Sequence, residues 1–234
     1  MKDNKYKQEI SNIHKRYANR PCSIDANLYS MLRASFYMEI QERERAMIKL
    51  LSLISPLDNK KILEIGCGNG DKILQLLNLG FEPSNIIGND LLPDATKKAR
   101  SRLPSAINII DGDATKLDFE PNSFDIVYQS TVFSSILDDN FQKLLANKMW
   151  QWVKPGGGIL WYDFTYNNPA NPDVRGVPVK RIQELFPHGK MKIRKVTLAP
   201  PINRLVTKIH PSLYTIFNAL PFLRTHVICW IGKA

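Results

Sequence analysis

The sequence predicts an α/β fold: a doubly wound, mostly parallel sheet with helices on both faces. Three observations lead there. Lys61-Ile62-Leu63-Glu64-Ile65-Gly66-Cys67-Gly68-Asn69-Gly70 is a short apolar run ending in three alternating glycines, and the helix-forming stretch Asp71 to Leu77 follows at once. Strand and helix signals then alternate as far as Phe164, the pattern of repeated strand–helix–strand units. The second strand ends in Asp90 and the third leads into Asp111-Gly112-Asp113-Ala114. Acids thus gather at the carboxyl ends of the strands, where open α/β sheets bind ligands.

Residues 1 to about 20 are polar and basic (Lys2, Lys5, Lys7, His14, Lys15, Arg16, Arg20) and read as a mobile arm or a surface helix. Leu28 to Leu53 carries a helical stripe of Leu32, Phe36, Ile40, Met47, Leu50, Leu51 and Ile54, ended by Pro56 and Asp58-Asn59. Asn85 to Asp90 is the second strand, and Pro93 to Arg102 a helix begun by its proline. Ala106 to Ile110 and Phe124 to Gln129 are the third and fourth strands, Phe133 to Trp152 is largely helical, and Gly158 to Phe164 is the fifth strand. Thr165 to Pro178, rich in Asn and Pro, is a long irregular loop, a kind of segment that is usually functional or disordered. Val179 to Phe186 reads as helix, and Met191 to Leu198 and Thr225 to Gly232 as strands. Between those strands, Ile202 to Leu223 is apolar and broken at Pro211 and Pro221.

Glycine is needed where a chain takes positive φ or leaves no room for a Cβ, and the helix behind this turn offers unpaired N–H groups and a positive dipole end. A dinucleotide fingerprint would place its last glycine where Asp71 stands. Glu64, two residues ahead of Gly66, would repel a pyrophosphate but suits a cation. S-Adenosylmethionine carries a sulfonium and an ammonium and no phosphate. Lys61 to Gly70 therefore resembles motif I of the class I S-adenosylmethionine-dependent methyltransferases.

Asp90 lies 20 residues past Gly70, placed to accept hydrogen bonds from both ribose hydroxyls; it could also cap the next helix, as could Asp94. Asp113 and Ala114 resemble the acid and backbone N–H that read the adenine edge in that family. Phe124 to Ser130 resembles its motif IV, and Lys154-Pro155-Gly156-Gly157-Gly158 its turn into the fifth strand. These matches stand in the right order over residues 61 to about 164.

The resemblance, to methyltransferases of the type 11 kind, implies a Rossmann-like sheet of seven strands whose last strand is antiparallel. It implies one domain over 1–234, with a helical cap (1–55), a cofactor core (56–164) and an acceptor-side remainder (165–234). It implies S-adenosylmethionine as cofactor, S-adenosylhomocysteine as product, and donor binding by Glu64, Gly66, Cys67, Gly68, Gly70, Asp90, Leu91, Asp113, Ala114, Gln129 and Ser130. Tyr128, Trp161 and Tyr162 are candidates for an aromatic wall near the sulfonium, although strand aromatics are more often core. A hydroxyl acceptor would gain from a general base, for which Asp163 comes first and His188 and His210 after it; a carboxylate acceptor would need none.

Tyr128-Gln129-Ser130-Thr131 lacks the Asn/Asp-Pro-Pro-Tyr/Phe of enzymes that methylate exocyclic or side-chain amines. An oxygen of a small molecule or glycan is therefore the expected acceptor. Gln41 to Arg45, Tyr162 to Pro169 and Leu223 to His226 resemble bacterial methyltransferases of surface-glycan and related biosynthesis clusters. That likeness implies N-terminal helices and a loop over the acceptor, with Tyr166, Asn168 and Arg175 facing it; turn-forming Asn and a solvated Arg are the alternative.

The net charge of +10 could serve nucleic acid, an anionic membrane face or an acidic substrate, or only solubility. A sugar carried on a lipid diphosphate or nucleotide would suit both the charge and residues 202–223, which either rest on a membrane surface or pack over the sheet edge. The basic residues read as spread rather than clustered with aromatics, which counts against an RNA methyltransferase. A protein that binds S-adenosylmethionine without turnover stays open. Cys22, Cys67 and Cys229 form neither a disulfide framework nor a zinc pattern, and no metal is expected. The N-terminus has no apolar signal region, and the cytoplasm, or the inner membrane face, is the expected location.

Overall fold

The computed structural model describes residues 2–19, 29–169 and 171–234; Arg20, Cys22, the expected helix start Leu28 and the loop residue Ala170 lie outside them. Seven strands form the sheet: β1 (Ile62–Ile65), β2 (Ile86–Asp90), β3 (Asn108–Asp111), β4 (Phe124–Ser130), β5 (Val153–Phe164), β6 (Lys190–Leu198) and β7 (Arg224–Gly232). Their order is β3-β2-β1-β4-β5-β7-β6. Neighbours from β3 through β5 pair in parallel, whereas β7 is antiparallel to both β5 and β6. The class and the antiparallel last strand are as the sequence led us to expect.

Helices cover both faces. On one side α1 (Lys2–Ala18), α5 (Asp139–Trp152) and α6 (Val179–Leu185) pack over Leu63, Val127, Ile159 and Trp161. On the other, α2 (Ala34–Leu51), α3 (Asp71–Asn78) and α4 (Pro93–Arg102) pack over Ile62, Ile126, Leu160 and Tyr162. Alternate residues of β5 therefore serve opposite cores, so a continuous apolar run forms one strand. Trp161 and Tyr128 are almost wholly buried, and each is a large contribution to a core, on the order of 1.5–3 kcal/mol. Two further helices, α7 (Pro200–Ile209) and α8 (Ser212–Asn218), lie between β6 and β7 in sequence.

Several boundaries moved. The expected stripe in α2 holds from Ile40 to Leu51, but Leu32 is 97% exposed because the helix starts only at Ala34, with Arg33 extended before it. Phe133 to Trp152 divides into a short 3-10 turn (Phe133–Ser135) and α5, since the Asp138 side chain caps α5 through the N–H groups of Asn140 and Phe141. β5 begins at Val153, ahead of the glycines, with a shift in pairing against β4 between Phe124 and Ile126.

A half-buried carboxylate ties α2 to the far edge of the sheet. Glu42 accepts hydrogen bonds from the Thr197 N–H at 2.8 Å, the Tyr214 hydroxyl at 2.5 Å and the Asn218 amide at 2.6 Å. Glu39 accepts from the Asn203 amide at 2.6 Å, and burial pushes its pKa up to about 7. Glu42→Gln is expected to cost about 1–2 kcal/mol, because one of the three donors would then face an amide N–H; chemical denaturation at neutral pH measures it. A loss near zero would show that water serves these donors.

Candidate active site

The glycine turn is built as its residues require. Gly66, Gly68 and Gly70 all take positive φ, at 70°, 54° and 83°. The N–H groups of Gly66 and Cys67 both reach the Asn89 carbonyl, at 2.7 and 2.9 Å, which pins the turn to the end of β2. A Cβ at Gly66 would overlap the Val132 side chain, while one at Gly68 would meet nothing within 4 Å. Gly66 is thus needed for packing, and Gly68 opens onto free space. Gly70 is the left-handed residue that starts α3.

Asp90 closes the turn from the β2 side. Its two oxygens accept from the Gly68 N–H at 2.8 Å and the Leu92 N–H at 2.9 Å, which leaves a lone pair on each for a ligand. Burial pushes its pKa up, opposed by those N–H groups. Beside it the Asn89 amide donates to the carbonyls of Ile110 and Gly112 and holds the end of β3 in place. Asp113 accepts from both the N–H and the hydroxyl of Thr115, at 2.9 and 2.8 Å.

These groups line one cavity of about 350 Å³. Of the expected donor-binding residues, Gly66, Gly68, Asp90, Leu91, Asp113, Ala114 and Ser130 line it. Glu64, Cys67, Gly70 and Gln129 do not: they sit behind the wall. Gln129 is buried and braces the loop after β4, accepting from the Val132 N–H at 3.0 Å and donating to the Tyr162 carbonyl at 3.3 Å. Cys67 points into the core under α2 and α3, where burial holds its thiol well above the usual range. Glu64 is wholly buried, and neither of its oxygens has a hydrogen-bond partner. Burial pushes its pKa up to about 7, against the pull of Lys72 and Arg43. Lys72, which does line the cavity, is in turn pushed down, chiefly by burial.

The roof comes from the N-terminal helical part that the resemblance implied as a cap, although its lining residues were not named. The basic N-terminal stretch, expected as an arm or surface helix, is α1, and Ile10, Ile13 and Tyr17 line the cavity from above. Arg16 bonds Glu9 at 2.8 Å and the Ser135 carbonyl at 3.0 Å, while Glu9 also takes the Leu137 N–H at 2.9 Å. Tyr17 and Ser135 share a hydroxyl–hydroxyl bond at 3.2 Å. The signal was present: Tyr6, Ile10, Ile13 and Tyr17 recur every three or four residues beneath the charge. Ile136, Phe141 and Leu145 complete this apolar wall.

The expected acceptor residues lie elsewhere. Asp163 is buried behind the site, accepts the Ser134 N–H at 3.1 Å, and has its pKa pushed up to about 7 by burial; it does not line the cavity. His188 and His210 are exposed and outside it. Tyr128, Trp161 and Tyr162 are core, and Tyr162 instead stacks on His226 and carries the Arg43 guanidinium 5.2 Å from its ring. Tyr166, Asn168 and Arg175 also stand outside the cavity. Arg175 pairs with Asp139 of α5, and its N–H reaches the Ser134 carbonyl, so the loop is strapped to the outside of the site.

Comparison with known proteins agrees with this geometry. A methyltransferase-domain family model matches residues 62–157. Trans-aconitate 2-methyltransferase of Afipia carboxidovorans is 33% identical over 199 residues, 84% of this chain and 70% of that protein. Phthiotriol/phenolphthiotriol dimycocerosates methyltransferase 1 of Mycobacterium ulcerans is 30% identical over 133 residues, 55% of this chain and 47% of that protein, so the chain spans about half its length. An S-adenosylmethionine-dependent methyltransferase from Mesorhizobium loti shares the fold, with a TM-score of 0.59 at 16% identity over 86% of this chain and 98% of that one. The chain belongs to the class I S-adenosylmethionine-dependent methyltransferases.

Two features of the site fit that nucleoside. Gly68 faces open space where a Cβ would intrude, and beneath the turn lies the buried Glu64 carboxyl, with no hydrogen-bond partner and only Lys72 and Arg43 as nearby cations. A cationic ligand with vicinal hydroxyls satisfies both the charge and the lone pairs of Asp90.

Proposed function

We propose that this chain transfers a methyl group from S-adenosylmethionine to a hydroxyl oxygen of a small-molecule or glycan acceptor. The observation that carries the reading is the cavity that joins Gly68, Asp90 and Asp113 to Ser130, Thr131 and Ser135 under α1. When bound, the donor supplies a methyl on a sulfonium, a leaving group that departs as a neutral thioether. The acceptor oxygen forms the new C–O bond as the C–S bond breaks, the bonding pair passes to sulfur, and the proton left on the methylated oxygen is released to solvent when the product departs.

The chain's part is alignment. Asp90 and Asp113 hold the nucleoside, and the roof excludes water so that the two reactants meet in line; proximity of this kind supplies about 7–11 kcal/mol. Thr131 supports the idea of a strained, functional turn. It is a non-glycine residue at φ 60° directly after β4, on the cavity wall. The Tyr17–Ser135 hydroxyl pair is positioned to orient an acceptor. An acceptor borne on a lipid or a nucleotide suits the apolar wall and the positive charge.

The test is incubation with methyl-labelled donor and panels of hydroxylated lipid-linked sugars, nucleotide sugars and RNA. Label on a sugar oxygen with release of S-adenosylhomocysteine is the expected result. Label on RNA instead would overturn the acceptor class, and donor binding with no transfer to any panel would point to a binding protein without turnover.

A further inference from the structure

The chain's charge is gathered at one end. Residues 185–234 hold eight Lys and Arg and not one Asp or Glu, so this last stretch supplies eight of the ten net positive charges. Part of that charge lies on the exposed edge strand β6, as Lys192, Arg194 and Lys195. Part lies on α7, as Arg204 and Lys208, both exposed.

The same helices expose large aliphatic side chains. Leu205 and Ile209, one turn apart on α7, are 65% and 75% exposed, and Ile216 of α8 and Phe222 just beyond it are 63% and 74% exposed. α7 is held against the start of α2, where the Asn203 amide reaches the Ser35 carbonyl at 3.0 Å. This face is not loose. Asn203, Val206 and Tyr214 point inward and are buried, and Glu42 clamps Tyr214 and Asn218. A firmly held pair of short helices thus turns aliphatic side chains outward among cations.

Topology places this face at the same end of the sheet as the site, though out beyond the far edge strand. β6 and β5 are both antiparallel to β7, so they run the same way, and α7 follows the carboxyl end of β6 directly. That is the end at which β1, β2 and β4 open the cavity.

We propose that the α7–α8 face docks on an anionic bilayer surface, with Leu205, Ile209, Ile216 and Phe222 in the acyl boundary and Arg204 and Lys208 on the headgroups. Exposed aliphatic patches rimmed with cations mark such contacts, since apolar burial and attraction to anionic lipid act together. A second copy is disfavoured by the same charge: a twofold contact would set one cationic patch against another. RNA is disfavoured because the outermost groups are mainly Leu and Ile, whereas single-stranded RNA is held by stacking platforms. The proposal goes beyond methyl transfer and is tested without it.

The full chain is floated through a density gradient with vesicles of phosphatidylcholine alone or with about one-third phosphatidylglycerol. Flotation with the anionic vesicles, loss of it in high salt, and none with neutral vesicles are expected. Leu205→Glu with Ile209→Glu should lower the partition at least about tenfold while thermal melting and donor binding stay unchanged. Arg204→Gln with Lys208→Gln, which keeps the aliphatic face, should give a smaller loss. No flotation with anionic vesicles would overturn the proposal, as would equal flotation of the Leu205→Glu, Ile209→Glu protein. A dimer in light scattering that this variant abolishes would assign the face to a second copy, and RNA binding abolished by it would assign the face to RNA.

Discussion

Asp90→Ala is expected to weaken S-adenosylmethionine binding by at least about a hundredfold, measured by calorimetry. The carboxylate is 9% exposed and already fixed by Gly68 and Leu92, so it meets a ligand with no further ordering cost. Each charge-assisted hydrogen bond to a ribose hydroxyl is worth about 1.5–3 kcal/mol, and two of them give a hundredfold or more. The alanine would also release the Gly68 N–H and loosen the glycine turn. Asp90→Asn separates the two effects: it keeps the shape and one acceptor oxygen, and its affinity should fall between those of the wild type and the alanine. Unchanged affinity for Asp90→Ala would mean that the nucleoside lies elsewhere.

The parts of this site that sequence reasoning reached are those encoded locally. A glycine with no room for a Cβ, or an acid at the end of a strand, is specified by its own few residues, and Gly66, Gly68, Asp90 and Asp113 stand together as expected. Side-chain direction is set less locally. Cys67 and Gln129 are neighbours of lining residues, yet their side chains point into the core and the supporting loop. Tyr128, Trp161 and Tyr162 belong to a sheet covered on both faces, where a strand aromatic has a core to fill wherever it points.

The acceptor side was least legible. Sequence position placed Tyr166, Asn168 and Arg175 after the fifth strand and so near the ligand, but Asp139 captures Arg175 and the loop runs outside. Of the two covers that the resemblance implied, the N-terminal helix lines the cavity and the loop does not. The helix's apolar period is carried by four residues among lysines and arginines, and what gives it meaning is a partner more than 100 residues away, Ser135 with Arg16 and Tyr17. The basic charge, read as spread, proved concentrated once the acids were seen to stop at Glu184.

Glu64→Gln is expected to stabilise the ligand-free protein by about 1–3 kcal/mol at pH 8 and to leave its stability unchanged at pH 4. Alternation along β1 turns Glu64, like Ile62, toward α2 and α3, where it is wholly buried with both oxygens unpartnered. Its ordinary value of 4.5 is raised to about 7 by burial. Between those values the native state holds a proton that the unfolded chain has lost, so stability falls as pH rises through that window. Above the window the full cost of an ionised, unpaired carboxylate is present; below it there is none. Glutamine keeps the shape and never ionises, so its advantage should appear over the same interval. Denaturant unfolding of both proteins at the two pH values measures this. Calorimetry should show the opposite sign for the ligand: a several-fold loss of affinity for the cationic donor, because a negative charge beneath the turn has gone. A protein that is more stable yet binds more weakly would identify Glu64 as a charge retained for the donor at the expense of the fold. Equal stability at pH 8 would show that Lys72 and Arg43 already neutralise it, and the acid of the glycine turn would then be a structural charge.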